Sequence, residues 1–386
     1  MQPKTASYAA FAAFGLFWGT WGAMLPTLRN AADLTDGQLG GALLLIGAGA
    51  LPAMAFAGRA VDRFGVRIAG LLLVSLGLAG VAIAVLARDA ASLSIGMLLV
   101  GATSGASDVS ANALAGLAEK RSGRRVITLA HAVFSSSVVV GSLGAGGLLA
   151  ATGGLVPVFV ATGALITVAG TMVFRVRERG VAPTSSRNAS VSGTRMLLLP
   201  FIAVGLVGAL GFAMENAHQS WSAIFLGDEL GATPPLAALA PATFAAFAAA
   251  TRFTVGASLR IPDAVLLVAG PIVAGAVTLL LAASQSLIWA VAGLALAAIG
   301  TSVLFPTLLS RATRDVSDEV RGRATSLIGT TAYFGFLLGP VYVGMLSDAF
   351  DLRAAMVGVA ALAAAFALLA QPLTRGRGSA PSTAGE

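Results

Sequence analysis

The chain has 386 residues, of which 57% are hydrophobic and only 11% are charged, and its formal net charge is +7. Soluble globular domains carry about 25% charged residues, so this composition excludes an ordinary soluble domain. The absence of cysteine excludes disulfides and thiolate chemistry, and two histidines are too few for a histidine-rich metal site.

Apolar segments long enough to cross a bilayer recur along the whole chain. A helix needs roughly 20 mostly apolar residues to cross about 30 Å of hydrocarbon, and twelve segments meet this length. The predicted fold class is therefore an all-α membrane protein with twelve transmembrane helices. The predicted spans are approximately 7–28, 37–57, 68–87, 92–117, 126–151, 155–175, 197–224, 234–256, 263–284, 287–310, 324–346 and 352–373.

Lysine and arginine are distributed unevenly between the two sides of this predicted topology. If the N-terminus lies inside, all but three of the 24 basic residues fall on the inner side, and only Arg29, Arg88 and Arg353 fall outside. Cytoplasmic loops carry such an excess of positive charge. The pattern predicts a multi-pass protein of the cytoplasmic (inner) membrane with both termini in the cytoplasm. It also explains the net charge without nucleic-acid binding.

The longest inner connector, 175–195, contains several serines and arginines and almost no large apolar residue. It divides the chain into six spans and six spans. Arg59 and Arg67, near the end of span 2, correspond at one common offset to Arg252 and Arg260, near the end of span 8, which is a weak sign of an internal repeat. We expect an N-terminal six-helix bundle over 1–175, a cytoplasmic linker over 176–195, a C-terminal bundle over 196–373 and a disordered cytoplasmic tail over 374–386.

The loop between spans 2 and 3 carries a motif in the segment GRAVDRFGVR. Its residues are Gly58, Arg59, Asp62, Arg63, Gly65 and Arg67. In this loop of a six-plus-six chain, the motif resembles the signature G-x-x-x-D-R-x-G-x-R/K of the major facilitator superfamily. The resemblance covers essentially the whole chain, and it implies two six-helix bundles with pseudo-two-fold symmetry that transport solutes by alternating access. The segments DVSANALAG and GFLLGPVYVGMLSD place it near bacterial fucose-permease-like members.

The resemblance implies that this loop is a conformational latch for the outward-open state. Asp62 can accept hydrogen bonds from free N–H groups at a helix N-terminus, which the resemblance assigns to span 11 near Ala324. The three arginines of the loop would then neighbour Asp62 and lipid phosphates. The alternative is that these charges only set the topology. Val255 stands where Asp62 maps in the second half, so the latch is expected on one side only.

Span 4 carries Asp108 inside its apolar segment, where a carboxylate costs roughly 2.5–3.5 kcal/mol on insertion scales. Ser104, Asp108 and Asn112 are four residues apart and share one helix face. If spans 4 and 5 form a hairpin, Asn112 lies level with His131 and Asp108 with Ser135, which predicts one polar cluster. Asp108 and His131 are proton-coupling candidates, and Asn112 is a substrate-cavity candidate. The alternatives are a hydrogen-bonded knot between helices and a cytoplasmic gate.

Span 7 carries the second intramembrane carboxylate, Glu215, in the segment GFAMENAHQSW. Glu215, His218 and Gln219 are spaced i, i+3 and i+4 and share a face, and Asn216 lies beside them. We expect this face to line a wet cavity in the periplasmic half, with Glu215 as a proton-coupling candidate and the other three as substrate contacts. The alternative is a helix end in the membrane interface.

Aromatic residues in two further spans are candidates for stacking on a substrate. Trp21 lies in span 1 and Tyr333 in span 11, although such side chains are also common at membrane interfaces. Neither residue identifies a solute.

These features predict a secondary active transporter, proton-coupled, that moves a small polar solute such as a sugar through a central cavity. Its expected partners are the solute, protons and the lipid bilayer, and we expect a monomer without cofactor or metal. No H-x-x-x-H or G-x-S-x-G motif suggests an enzyme.

Two alternatives remain open. The first is a proton-driven antiporter that exports drugs or metabolites, although span 4 has Asp108 rather than arginine and span 5 lacks the Gly-Pro motif common among such exporters. The second is a non-transporting membrane scaffold or receptor, which would not need buried carboxylates in both halves.

Overall fold

The computed structural model describes residues 2–123, 126–176, 198–257, 261–314, 316 and 318–374. Within these ranges twelve helices are long and apolar enough to cross a membrane, which confirms the predicted fold class. The predicted linker over 176–195 and tail over 374–386 lie outside the described residues, apart from Val176 and Thr374.

We number these helices in chain order. Nine are continuous: α1 Pro3–Ala31, α2 Asp36–Phe64, α3 Ile68–Leu86, α4 Ala90–Ser122, α5 Val126–Thr152, α6 Leu155–Phe174, α7 Leu198–Asp228, α11 Asp318–Ala349 and α12 Leu352–Thr374. Three consist of two segments: α8 of Pro234–Ala237 and Leu239–Ala257, α9 of a π-helical Val265–Ala269 and Gly270–Ala283, and α10 of Leu287–Thr301 and Leu304–Thr313.

Local sequence signals account for several helix ends. Helix α2 begins at a capping box, in which the Thr35 hydroxyl accepts from the Gln38 backbone N–H and the Gln38 side chain accepts from that of Thr35. Asp89 and Ser92 form the same arrangement at the start of α4. Helix α4 ends where Gly123 adopts a left-handed conformation with φ of 62°.

The two sets of six helices pack in the same pattern. In the N-terminal half α1 packs along α5, α2 along α4, and α3 along α6. In the C-terminal half α7 packs along α11, α8 along α10, and α9 along α12. A shift of six helices relates the two halves, which is the pseudo-two-fold symmetry of a parallel repeat. Helices α4 and α5 do contact each other, and the Ile127 backbone N–H of α5 donates to Glu119 of α4 over 3.1 Å, but the main neighbours of α4 and α5 are α2 and α1.

Small residues allow the closest helix pairs. A methyl group on Gly101 of α4 would overlap the carbonyl of Ile46 on α2, and one on Gly335 of α11 would overlap that of Ala209 on α7. Lipid is as apolar as the protein interior, so helices in a membrane associate through such close contact. Large apolar side chains such as Ile288 and Leu280 remain 78% and 70% exposed, as expected for surfaces that face lipid.

The two halves contact each other through α2 with α11 and through α5 with α8. The Thr35 hydroxyl donates to Asp348 over 2.7 Å, and the Ser347 hydroxyl donates to Asp36 over 2.5 Å. These residues lie at the start of α2 and the end of α11. We call this end of the molecule, which carries the α1–α2 and α11–α12 loops, the closed end.

An arginine and a buried serine add to the contacts at the closed end. Arg29 of α1 contacts Asp36 over 2.7 Å and Asp228 of α7 over 2.6 Å. The Ser142 hydroxyl of α5 donates to the Ala238 carbonyl, at the break in α8, over 2.7 Å. At this end, polar bonds therefore join the halves through α2–α11, α1–α7 and α5–α8.

Candidate functional site

A cavity of about 310 Å³ lies between the two halves, at the lower end of the roughly 300–1,000 Å³ range of small-molecule sites. Helices α1, α2, α4 and α5 form one wall, and α7, α8 and α11 form the other. Its polar lining consists of Ser104, Asp108, Ser135, Asn216, Gln219, Ser220, Arg252 and Tyr333.

Asp108 is the charged group of the N-terminal wall. Asn112, one turn further along α4, donates its amide to Asp108 Oδ1 and to the Asp108 carbonyl, each over 3.0 Å. Asp108 forms no ion pair with any residue that the structure describes. Ser104 and Ser135 line the same cavity. A half-buried carboxylate therefore faces the cavity with one amide as its hydrogen-bonding partner.

The structure does not assemble the predicted cluster around His131. Asn112 lies against Asp108 and outside the lining of the cavity, and His131 is exposed, with its ring edge-on to Phe11 at a centroid distance of 4.9 Å. Helix α5 packs mainly along α1 and α4 mainly along α2, and no hydrogen bond or ion pair between described residues joins His131 to Asp108 or Asn112. Asp108, Ser104 and Ser135 share the cavity, whereas His131 lies apart from its lining.

Glu215 of α7 is paired with Arg252, which the distribution of positive charge places among the basic residues of the inner side. Arg252 Nη2 donates to Glu215 Oε1 over 2.6 Å, and the Gln219 amide donates to the same oxygen over 3.2 Å. Arg252 lies on α8 and lines the cavity with a side chain that is 44% exposed. The position of Arg252 in the sequence already indicates a role inside the membrane, because it lies within the apolar segment, more than one turn before α8 ends at Ala257.

A proline on α10 explains how Arg252 is oriented. Pro306 has no N–H, so the carbonyl of Ser302 four residues earlier has no helical partner, and α10 is interrupted between Thr301 and Leu304. The free Ser302 carbonyl accepts a hydrogen bond from Arg252 Nε over 3.0 Å. The guanidinium is thus held between a backbone carbonyl and the Glu215 carboxylate.

The structure corrects the assignment of His218 to the cavity wall. Its side chain is 1% exposed, with Nδ1 2.7 Å from the Met214 carbonyl and Nε2 3.0 Å from the Thr278 hydroxyl on α9. The ring also stacks on Phe244 of α8. His218 is at the edge of the predicted face, and partners inside the C-terminal half turn it away from the cavity. Among the predicted contacts on α7, Asn216 and Gln219 do line the cavity.

Aromatic side chains form much of the remaining wall. They are Phe14, Trp18, Trp21, Phe134, Tyr333 and Phe336. Trp21 is 4% exposed and stacks on Phe17, with ring centroids 6.2 Å apart, and Tyr333 stacks on Phe336 at 5.5 Å. In the described part of the chain, no group of three or more His, Asp or Glu side chains could hold a metal ion.

The loop motif lies at the opposite end from the closed end. Asp62 makes no hydrogen bond or ion pair with any described residue, and a methyl group on Gly58 would meet no atom within 4 Å. Arg59 Nη1 donates to the Ala55 carbonyl of its own helix over 3.1 Å. In this conformation no hydrogen bond or ion pair between described residues joins the motif to α11.

Comparison with known proteins gives consistent matches. A family model described as Major Facilitator Superfamily matches residues 6–262 and 201–386. An uncharacterized transporter, y4wD, of Sinorhizobium fredii is 30% identical over 356 residues, covering 90% of this chain and 92% of that protein. An uncharacterized MFS-type transporter of Yersinia pestis is 28% identical over 358 residues, covering 91% of each. The solved structure of a D-xylose-proton symporter is similar in fold, with a TM-score of 0.76, 14% identity and coverage of 97% of this chain and 98% of that one.

Proposed function

The chain belongs to the major facilitator superfamily, and from this premise we propose that it is a proton-coupled secondary transporter of a small polar solute that works by alternating access. The observation that carries the proposal is Asp108, an intramembrane carboxylate without an ion-pair partner among the described residues, in a cavity between the two halves. Carboxylates in such positions mark proton relays and substrate pathways.

Of the two intramembrane carboxylates, Asp108 is the stronger coupling candidate. Glu215 already has a cationic partner in Arg252 at 2.6 Å, and protonation of Glu215 would leave that arginine unpaired beside the cavity. Among the described residues, the Asp108 carboxyl group has the Asn112 amide as its one hydrogen-bonding partner, and this amide can accompany either the charged or the neutral carboxyl group. Asp108 can therefore gain or lose a proton without breaking an ion pair.

The repeat symmetry supports a rocking motion of the two halves. The closed end is held by bonds across α2–α11 and α5–α8, and these two interfaces are equivalent under the six-helix shift. When the closed end opens, we expect the opposite end to close and Asp62 to approach the start of α11 near Ala324, which would engage the latch. With the N-terminus in the cytoplasm, the present cavity would open inward. We assign the protein to the inner membrane as a monomer.

Proton-driven export by exchange is the second candidate function. It is favoured by the same unpaired state of Asp108, because one carboxylate can bind a proton or a cationic solute in turn. Uptake by symport instead requires the solute and the proton to be bound together. The direction of proton movement distinguishes the two.

The test uses purified protein reconstituted in liposomes that contain a trapped pH-sensitive dye. Glucose, glucuronate, glucosamine and choline are added outside one at a time, with no initial pH gradient. Symport of an added solute acidifies the lumen, whereas exchange for lumenal protons makes the lumen more alkaline. Asp108→Asn should reduce either signal to the level of protein-free vesicles. Asp89→Asn is the matched control, because it alters a carboxylate at the start of the same helix where asparagine also caps well.

Three outcomes contradict the proposal in different ways. Full solute-driven proton movement in Asp108→Asn would reject the role of that carboxylate. Tracer uptake without any proton movement in the wild type would support transport and reject proton coupling. Absence of flux for every solute would favour the scaffold or receptor.

A further inference from the structure

Asp108 gives the cavity one negative charge that no described residue balances. We propose that the solute carries a protonated amine that binds at Asp108. This inference rests on the proposed function in its exchange form, in which Asp108 binds a proton or the cationic solute in turn, and it specifies the chemical class of the solute. It follows from the charges, the aromatic rings and the size of the cavity.

The charged side chains of the cavity favour a cationic solute. Asp108 and Arg252 are the two charged side chains among the described lining residues. Arg252 is neutralised by Glu215 at 2.6 Å, so it has little free charge to offer an anionic solute. Asp108 forms no ion pair with a described residue. A carboxylate removed from water is costly unless it is paired, and a solute cation would supply the pair.

The aromatic rings favour the same class of ligand. Trp18 and Trp21 from α1 and Tyr333 and Phe336 from α11 line the cavity together with Asp108. The faces of such rings attract a cation within about 6 Å, and tryptophan does so most strongly. Recognition of organic ammonium groups by aromatic cages uses this interaction. Among the described lining residues an anionic solute would find no cation other than Arg252, which is paired with Glu215, and the negative faces of the aromatic rings would disfavour it.

The remaining lining supplies hydrogen bonds for the rest of the solute. Asn216, Gln219 and Ser220 lie on the C-terminal wall, and Ser104 and Ser135 on the N-terminal wall. A volume of about 310 Å³ restricts the solute to a small molecule. We therefore infer an amine that also bears hydroxyl groups or a short apolar part.

The experiment measures the melting temperature of the full-length protein in detergent with matched pairs of probes. Each pair has a cation and a neutral counterpart of similar shape: glucosamine and glucose, choline and 3,3-dimethylbutan-1-ol, and phenethylammonium and 2-phenylethanol. A ligand that binds the folded protein raises its melting temperature in proportion to the logarithm of its concentration above the Kd. We expect at least one cation to stabilise the protein while its neutral counterpart does not.

Variants of Asp108 assign the effect to the carboxylate. Asp108→Asn should weaken binding of the active cation by about thirtyfold or more, whereas Asp108→Glu, which keeps the charge, should retain binding within about tenfold. Asp89→Asn should bind like the wild type. Melting curves without a probe show whether each variant is folded, and Asp108→Glu tests the charge if the asparagine variant is unstable.

Equal stabilisation by a neutral counterpart, undiminished binding in Asp108→Asn, or no stabilisation by any of the three cations would overturn the proposal. This readout needs no membrane or gradient, so its failure is distinct from failure of the proposed function. Proton-linked flux of glucose with no binding of any amine would reject the amine and leave the transporter in place.

Discussion

The backbone carbonyl of Ser302 on α10 accepts a hydrogen bond from Nε of Arg252 on α8 over 3.0 Å. That carbonyl is free because Pro306 cannot donate to it, so a missing N–H on one helix fixes a guanidinium on another. The same guanidinium contacts Glu215 over 2.6 Å. The break in the membrane-spanning helix α10 thereby holds the positive charge of Arg252 at the cavity wall.

Substitution Pro306→Ala should reduce solute flux by about tenfold, since the restored N–H would compete with Arg252 for the Ser302 carbonyl and a hydrogen bond to a charged group contributes about 1.5–3 kcal/mol. The substitution should not destabilise the protein, because proline is about 3 kcal/mol less favourable than alanine inside a helix. Initial rates in proteoliposomes and melting temperatures measure both effects.

Pro372→Ala is the control for that substitution, because Pro372 lies inside α12 and has no part in the cavity. It should leave the flux unchanged. An unaltered rate in Pro306→Ala would show that the break in α10 does not position Arg252.

Glu215→Gln or Arg252→Gln alone should destabilise the protein by about 1–3 kcal/mol, because each leaves the other charge without its partner. The double variant should be more stable than the sum of the single effects predicts. Urea unfolding in detergent measures the cycle. Arg314→Gln is the comparison, because Arg314 pairs with Asp263 with a 58% exposed side chain and should cost less than about 1 kcal/mol. Additive effects at Glu215 and Arg252 would contradict coupling between them.

A bulky residue at Gly40 should hold the closed end apart. A Cβ atom there would lie 2.8 Å from the Pro340 carbonyl on α11, so Gly40→Trp cannot fit while α2 and α11 touch. We expect Ser220→Cys in the cavity to react faster with a membrane-impermeant thiol reagent added on the closed-end side. The native chain has no cysteine, so the signal comes from this site alone.

Gly41→Trp provides the matched control, since a Cβ atom at Gly41 has no neighbour within 4 Å. Labelling in this variant should equal that in the background with Ser220→Cys alone. Equal labelling in the Gly40 and Gly41 variants would mean that the α2–α11 contact does not close the cavity.

The proposed orientation is tested by cysteines at the two ends of α4. Ala91→Cys should react with an impermeant reagent added outside intact cells, whereas Lys120→Cys should react only after the membrane is opened. Both positions are exposed, so a difference in labelling reports the side of the membrane. The reverse pattern would invert the topology.

Most of the fold can be predicted from the amino-acid sequence. All twelve spans were predicted, and their boundaries differ from the structure mainly at ends such as α11, which begins at Asp318 rather than near residue 324. Helices in a bilayer must satisfy every backbone group internally, so a sufficiently long apolar segment determines a helix. The candidates Asp108, Asn216, Gln219, Trp21 and Tyr333 also line the cavity.

Other relationships depended on which helices meet. His218 bonds to Thr278, 60 residues further along the chain, and Arg252 bonds to Glu215, 37 residues earlier. Spacing along one helix gave no information about either partner. The spacing predicts one cluster for His131 and Asn112, but the His131 ring contacts Phe11 of α1 and the Asn112 amide bonds to Asp108.

The sequence by itself determined the number of spans, their division into two sets of six and the distribution of positive charge, because hydrocarbon length and loop charge act on each segment separately. Only the tertiary structure decided which face of each helix meets the cavity, how Arg252 is held and which end is closed. Lipid and protein interior are equally apolar, so hydropathy cannot distinguish a face that meets lipid from one that meets another helix. That choice is made by close packing and by polar pairs between distant residues.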